Sequence, residues 1–538
     1  MAPTRARPMP RRDRVRLIVF SLIPLLALGL AVVAGLVAQR RGQARAAWLP
    51  PSMPSHLGFG VMNAPGAVGA LNAMRTQNGT AWEYRYQYLA GGVNTGNGWE
   101  TWNSPAGQFA TNYLRESGNN GYVPALVYYE MAQSRGSCAA CPESDRDLAN
   151  LDNSHTMAAY YANWTLLMRA IGAYGKPALV IVEPDLWGYI EQVASQGNNT
   201  AAQVPASVAS SGVADAAGLP DSAQGFAWAL LHIRDRYAHN AILTLHASPW
   251  GTRVDIGSDK RGPAQLDVTA LATQEAAFLR TCGLAGAPNG ISTFDLLSSD
   301  LADHDSGQSG LWWDPTNRLF PNFARYLQFT RTLAIGTQRR VILWQVPAGN
   351  QYFDTENNTP GHTQDNRPEY IMGHLAAFAD SGIAAVLFGP GNGGTMPIDA
   401  RHDGVTNPAP IATFQCDRCD THTSTYPDDD GGYLRIFVGQ YYRHGALPLP
   451  LSLTSGSPMA TPAGVRATAT LAPTSPTATA AATGGTTGGT TSGTTGGTLP
   501  TASSATQRLQ NAPCLIMVNG IQVRGTCSGS FAPAPGRR

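Results

Sequence analysis

Ala178-Leu-Val-Ile-Val-Glu-Pro-Asp-Leu-Trp187 is the stretch from which the fold is read. Leu179 to Val182 are consecutive apolar residues, the pattern of a strand buried on both faces. Two carboxylates follow at once, Glu183 and Asp185, with Trp187 behind them. An apolar strand with acids at its C-terminal end is the pattern of a parallel barrel whose site sits at the strand ends. Residues two apart on a strand point to the same side, so this reading puts Glu183 and Asp185 in one site, with Pro184 stiffening the step between them. An indole beside acids suits a sugar ring, which has an apolar face and a polar rim.

Working outward, eight short apolar runs recur, at 56–63, 83–89, 123–129, 178–183, 241–246, 293–298, 341–346 and 384–388. Helical periodicity follows most of them, at 157–174, 225–237, 268–284, 319–335, 370–381 and 432–443. Strand and helix in alternation predict an α/β fold, a (β/α)8 TIM-like barrel with long βα loops over residues 46–450. An open doubly wound sheet is the alternative, but no Gly-x-Gly-x-x-Gly follows an early strand. The long stretches 188–224 and 390–430 would fall on the face where barrels build sites.

The flanks read differently. The chain has 538 residues, 43% of them hydrophobic and 14% charged, and a net charge of +1 that argues against a nucleic-acid partner. Residues 1–16 form a basic N-terminus, and 17–38 carry no charge. At about 1.5 Å per residue that run spans a bilayer as a transmembrane signal-anchor. The arginine bias puts the N-terminus in the cytoplasm and the barrel on the extracellular side. A cleaved signal peptide is the alternative, because Ala44-Arg-Ala46 resembles a cleavage site. Residues 451–510 are a low-complexity Thr/Gly/Ser/Pro linker, expected to be a disordered stalk. Residues 511–530 read as a small hairpin, with Asn519-Gly520 at the turn and a disulfide between Cys514 and Cys527. Cys138 and Cys141, and Cys416 and Cys419, are expected to be disulfides outside the cell, with a four-cysteine zinc site as the alternative; Cys282 is left over.

Acids and aromatics at the strand ends are the equipment of glycoside hydrolysis. One carboxyl protonates the leaving oxygen, and a second attacks or activates water. Asp185 is the expected general acid, with Glu183 orienting it and raising its pKa. Asp300 or Asp303 is the expected base or nucleophile, with Glu130 in reserve. Substrate contacts are expected from Trp187, His246, Trp250, Trp312, Trp313 and Trp344, and also from Gln345 and Asn392. The reading needs no metal and no cofactor. Asp303-His304-Asp305 would serve a metal-dependent deacetylase, a weaker option. No Gly-x-Ser-x-Gly elbow stands at a strand end, and Gly389-Pro-Gly-Asn-Gly-Gly394 lacks the Lys-Ser/Thr ending of a phosphate loop.

At Ile181-Val-Glu-Pro-Asp-Leu186 the chain resembles the glycoside hydrolase family 6 cellulases, in which a strand ends in Glu-Pro-Asp-Ser-Leu and the Asp is the general acid. The resemblance implies that role for Asp185. Upstream, Val127-Tyr-Tyr-Glu-Met131 and Arg135-Gly-Ser-Cys138-Ala-Ala140 match the family's Tyr-Asp-Leu-Pro and Asp-Cys-Ala-Ala, with Ser137 in place of the acid. Downstream, Leu243-Thr-Leu-His246-Ala-Ser248 puts a histidine where the family has aspartate. The expectation is a membrane-anchored, extracytoplasmic barrel that cleaves a polysaccharide with two carboxylates. A non-catalytic carbohydrate-binding or cell-surface scaffold is the second reading.

Overall fold

The computed structural model describes residues 46–136, 138, 140–285, 287–301, 311–353, 355–356, 362–389 and 429–454, and the backbone of 513–518 and 521–526. The apolar runs become strands β1 Gly58–Met62, β2 Tyr84–Ala90, β3 Val123–Tyr129, β4 Ala178–Val182, β5 Ala241–His246, β6 Leu296–Asp300, β7 Val341–Pro347 and β8 Ile383–Gly389. All pair parallel with their sequence neighbours, and β8 pairs with β1, so the sheet closes as a barrel. β4, β5, β6 and β8 are buried throughout, as expected for strands covered by helices outside and by packed side chains inside. Closure is tight at β1: a Cβ on Gly60 would lie 2.5 Å from Tyr84 Cβ and 2.8 Å from Tyr84 O, so only glycine fits there.

Helices α1 Val68–Asn78, α2 Gln108–Asn119, α3 Glu143–Leu151, α4 Ser154–Tyr174, α5 Pro184–Ala194, α6 Ala223–Tyr237, α7 Val268–Leu279, α8 Phe323–Thr337, α9 Arg367–Gly373, α10 Leu375–Asp380 and α11 Tyr433–Arg443 lie between and after the strands. Side-chain caps start several of them: Asn153, Ser222, Asp267 and Asn322 each accept an amide of the first turn. The helix expected at 370–381 is broken at His374, whose backbone is non-helical (φ −133°, ψ 32°). The strand expected at 293–298 begins later, at Leu296. Ser292 and Thr293 are held instead by Asp235, Arg234 and Arg339, which pin the chain before it can enter the ladder. That shift makes Asp300 the last residue of β6.

Entry and exit meet at the N-terminal end of the barrel. Leu57 donates to Leu447 O, Leu449 donates to Ser55 O, and Arg340, just before β7, ties Ala47 O to Pro450 O. Among the described residues, no helix is long and apolar enough to cross a membrane. The span expected at 17–38 and residues 455–510 of the expected stalk lie outside them. Cys138 and Cys141 are joined as a disulfide, and Cys282 is buried and free. The C-terminal segment forms the expected antiparallel pair, β9 Pro513–Val518 and β10 Ile521–Thr526.

Candidate functional site

The C-terminal mouth of the barrel has two distinct corners. At β3 and β4 the strand reading of Glu183 and Asp185 fails. β4 ends at Val182, Glu183 turns into the left-handed region (φ 43°), and Asp185 belongs to the first turn of α5. The two side chains therefore do not share the alternating geometry of a strand. Glu183 reaches back to β3, where its carboxylate accepts the backbone N–H groups of Glu130 (3.1 Å) and Met131 (3.2 Å). Its expected task of orienting Asp185 is replaced by clamping the end of β4 to the loop after β3. Burial pushes its carboxyl up to about 7, against the pull of those amides and of Tyr160.

Other acids crowd this corner. Glu130 is fully buried, and burial, then Glu183 and Glu100, raise its pKa well above the ordinary value. Asp147 on α3 is raised by burial first and then by Glu183, Glu143 and Asp185; neither of its oxygens has a hydrogen-bond partner. Tyr129 donates to Glu143. Asp185 itself is half-buried and reaches the mouth. Asp147, Glu143 and Tyr160 escaped the sequence reading because they lie on helices and at a helix start, where no strand-end pattern marks them.

The opposite corner joins β2, β5, β6 and β7. His246 Nε2 lies 3.0 Å from Asp300 Oδ2. On the other side of the ring, Trp344 Nε1–H points at His246 Nδ1 (3.4 Å), and Ser298 Oγ lies 3.2 Å from the same nitrogen while accepting from Thr244 (2.9 Å). An indole N–H can only donate, so Nδ1 is the acceptor and the proton sits on Nε2, directed at Asp300. A β-bulge between Leu343 and Val346 re-aims β7 here, with Gln345 at φ 50°. Gln345 then accepts from the Tyr88 hydroxyl across the mouth (2.7 Å), and Tyr88 packs edge-on against Trp344. Tyr88, Trp344, His246 and Asp300 form a continuous floor. Tyr88 was missed, although the alternation Tyr84, Tyr86, Tyr88 along β2 was a signal for it.

The expected sugar platforms divide. Trp187 is buried core: its Nε1 donates to Val182 O, and it stacks on Phe226. The cause is again the turn at Glu183, which places Trp187 on the inner face of α5. Trp313 is also core, donating to Gly257 O beneath Arg367. Trp344 belongs to the buried floor, and Trp312 is half-buried. Trp250 is half-buried and packs against Tyr189 (4.9 Å between rings), an approach that requires glycine at 188, where a Cβ would lie 2.6 Å from the indole. Asp303 and Asn392 lie outside the described residues. One group carries metal-ligating chemistry that the sequence reading did not anticipate: Glu356, His362 and Asp430 bring one donor atom each within 4.8 Å of one another. Glu356 and His362 follow β7 and Asp430 stands far along the chain, with no local spacing to announce the group.

No protein-family model and no curated protein matches the chain. Among solved structures, it is similar to a β-mannanase from a symbiotic protist of the termite Reticulitermes speratus, complexed with gluco-manno-oligosaccharide. Identity there is 12%, over 64% of this chain and 87% of that one, with a TM-score of 0.33. A modular endo-β-1,4-mannanase of glycoside hydrolase family 26 from Cellulomonas fimi is 12% identical over 64% and 70% of the two chains, with a TM-score of 0.36. The endoglucanase Cel6 from Mycobacterium tuberculosis is 14% identical over 54% and 72%, with a TM-score of 0.25. These are distant resemblances to glycoside hydrolase structures, and no residue role is drawn from them.

Proposed function

We propose that the chain is an extracytoplasmic glycoside hydrolase, held at a membrane by residues 17–38, that cleaves a polysaccharide with Asp185 as general acid and Asp300 as base. The observation that carries this reading is the pairing of the two corners. Asp185 follows β4 and Asp300 ends β6, with His246 of β5 between them. His246 Nε2–H donates to Asp300 Oδ2 at 3.0 Å, which fixes the orientation of the carboxylate proposed as base. Asp185 lies close enough to the buried Asp147 to raise that carboxyl's pKa, which places it in the acid-crowded corner. Trp250 with Tyr189 supplies an apolar face beside the acid for a sugar ring.

The second reading, a non-catalytic carbohydrate-binding barrel, is favoured by one observation: His246 is fully buried and Asp300 nearly so, which narrows access to the floor. Hydrolysis of a panel of glucans, mannans and xylans by the purified chain, beside Asp185→Asn and Asp300→Asn, decides between the two. Activity lost in both variants supports the enzyme. Binding without turnover in the unaltered chain supports the scaffold.

A further inference from the structure

We infer that Glu356, His362 and Asp430 form a divalent-cation site that joins the loop after β7 to the segment entering α11. Glu356 and His362 lie between β7 and α9, and Asp430 stands shortly before α11. Their donor atoms converge within 4.8 Å of one another, and all three residues are buried. Ligands at about 2.0–2.2 Å from a common ion stand roughly 3 to 4.4 Å apart, so small side-chain adjustments close this group on one ion.

The surroundings are those of a ligand set. His362 Nδ1 lies 2.5 Å from Asp430 Oδ1. An ion taken up there would displace the proton that His362 Nδ1 and Asp430 Oδ1 share, so that both atoms turn to the metal. Asn350 fixes the other two residues. Its backbone N–H and its side-chain amide each donate to Glu356 Oε1 at 3.2 Å, and the same amide donates to Asp430 O at 3.2 Å. The Thr355 hydroxyl adds a second bond to Asp430 O at 2.9 Å. The loop after β7 is thus shaped around Glu356 and Asp430 together.

Mixed carboxylate and imidazole ligands select Zn2+ or Mn2+ over Ca2+. The ion would act as a staple, binding two loops that border the mouth, and it takes no part in the two-carboxylate chemistry. The inference therefore stands whether or not the barrel hydrolyses sugars.

The test uses the full chain, purified in detergent without chelator. Elemental analysis should find a stoichiometric ion. EDTA should lower Tm by several degrees, and Zn2+ or Mn2+ should restore it where Ca2+ does not. Co2+ loaded into the chelated protein should show visible bands that His362→Gln and Glu356→Gln lack. Protein without metal, with a Tm indifferent to EDTA and no Co2+ spectrum, would overturn the proposal and leave a buried His–Asp ion pair. So would metal bound equally by both variants. The Tm and Co2+ measurements on the unaltered chain decide the matter even if the variants do not fold.

Discussion

The β3–β4 corner and the β5–β7 corner of the same mouth treat their carboxyls in opposite ways. At β3–β4, Glu130, Glu183 and Asp147 are buried near one another, and burial raises all three above their ordinary values, with Glu183 adding to the rise of the other two and Glu143 to that of Glu183. At β5–β7 a single carboxylate, Asp300, receives a histidine whose tautomer is set by Trp344 and by the Thr244–Ser298 pair. One corner crowds buried carboxyls whose protons burial favours, and the other gives a single carboxylate one fixed hydrogen-bond donor.

The sharpest way to break this comparison is to neutralise each corner's proposed catalytic carboxyl in turn. Asp185→Asn and Asp300→Asn are each expected to lower kcat by about 10²–10⁴-fold, the usual worth of positioned acid–base catalysis. Far-UV circular dichroism should stay unchanged in both. If either variant keeps full activity, that corner is not part of the machinery.

The next effect is on stability. The Glu183 carboxyl rises from an ordinary 4.5 to about 7 in the folded chain. Its folded value lies above its unfolded one, so its contribution is complete below pH 4.5 and is lost as pH rises through about 7. The full difference corresponds to about 3 kcal/mol. Glu183→Gln keeps an acceptor for the Glu130 and Met131 amides and carries no charge. It should match the unaltered chain at pH 4 and be more stable at pH 8, by at most about that amount. Chemical denaturation at the two pH values reads this directly. Equal stability at pH 8 would mean that the corner does not hold Glu183 protonated.

Both corners also show what periodicity carries and where it stops. β3 and β5 run over the same residues in the sequence pattern and in the structure, because a continuous apolar run has one low-energy use, a strand covered on both faces. The site is decided by single backbone angles that no hydrophobic pattern encodes. Glu183 at φ 43° ends β4 and sends Trp187 into the core, and Gln345 at φ 50° turns β7 so that Gln345 meets Tyr88. A strand-based alternation argument presumes that neither angle occurs. Asp147, Glu143 and the group Glu356, His362 and Asp430 reach their places only through long-range packing, so no local spacing reveals them. Asp300 was legible as an acid after the sixth apolar run, but its tie to His246 depends on the register of β5 against β6, where His246 stands opposite Ser298.

A smaller effect sharpens the second corner. His246→Gln keeps a donor for Asp300 but cannot reproduce a ring gripped at both nitrogens. As a positioning residue, His246 should be worth roughly tenfold to a hundredfold in kcat, with KM nearly unchanged. A lowered Tm with kcat unchanged would make His246 a packing residue only.

The smallest expected effect separates binding from chemistry. Trp250 and Tyr189 stand beside the acid corner, half-buried, with Gln192 holding the Trp250 carbonyl at 3.3 Å. A sugar stacked on an exposed indole face gains about 0.5–1.5 kcal/mol beyond its buried area. Trp250→Ala should therefore raise KM several-fold and leave kcat almost untouched, since the ring is held alike in ground and transition states. Trp187→Ala is the control, because its indole is as large but faces Phe226 in the core. That variant should lose stability by about 3–5 kcal/mol, the usual cost of emptying a buried aromatic site, while any protein that folds keeps the original KM. A KM that rises in Trp187→Ala and not in Trp250→Ala would reverse the assignment of the two tryptophans and return the platform to the strand-end position first read from the sequence.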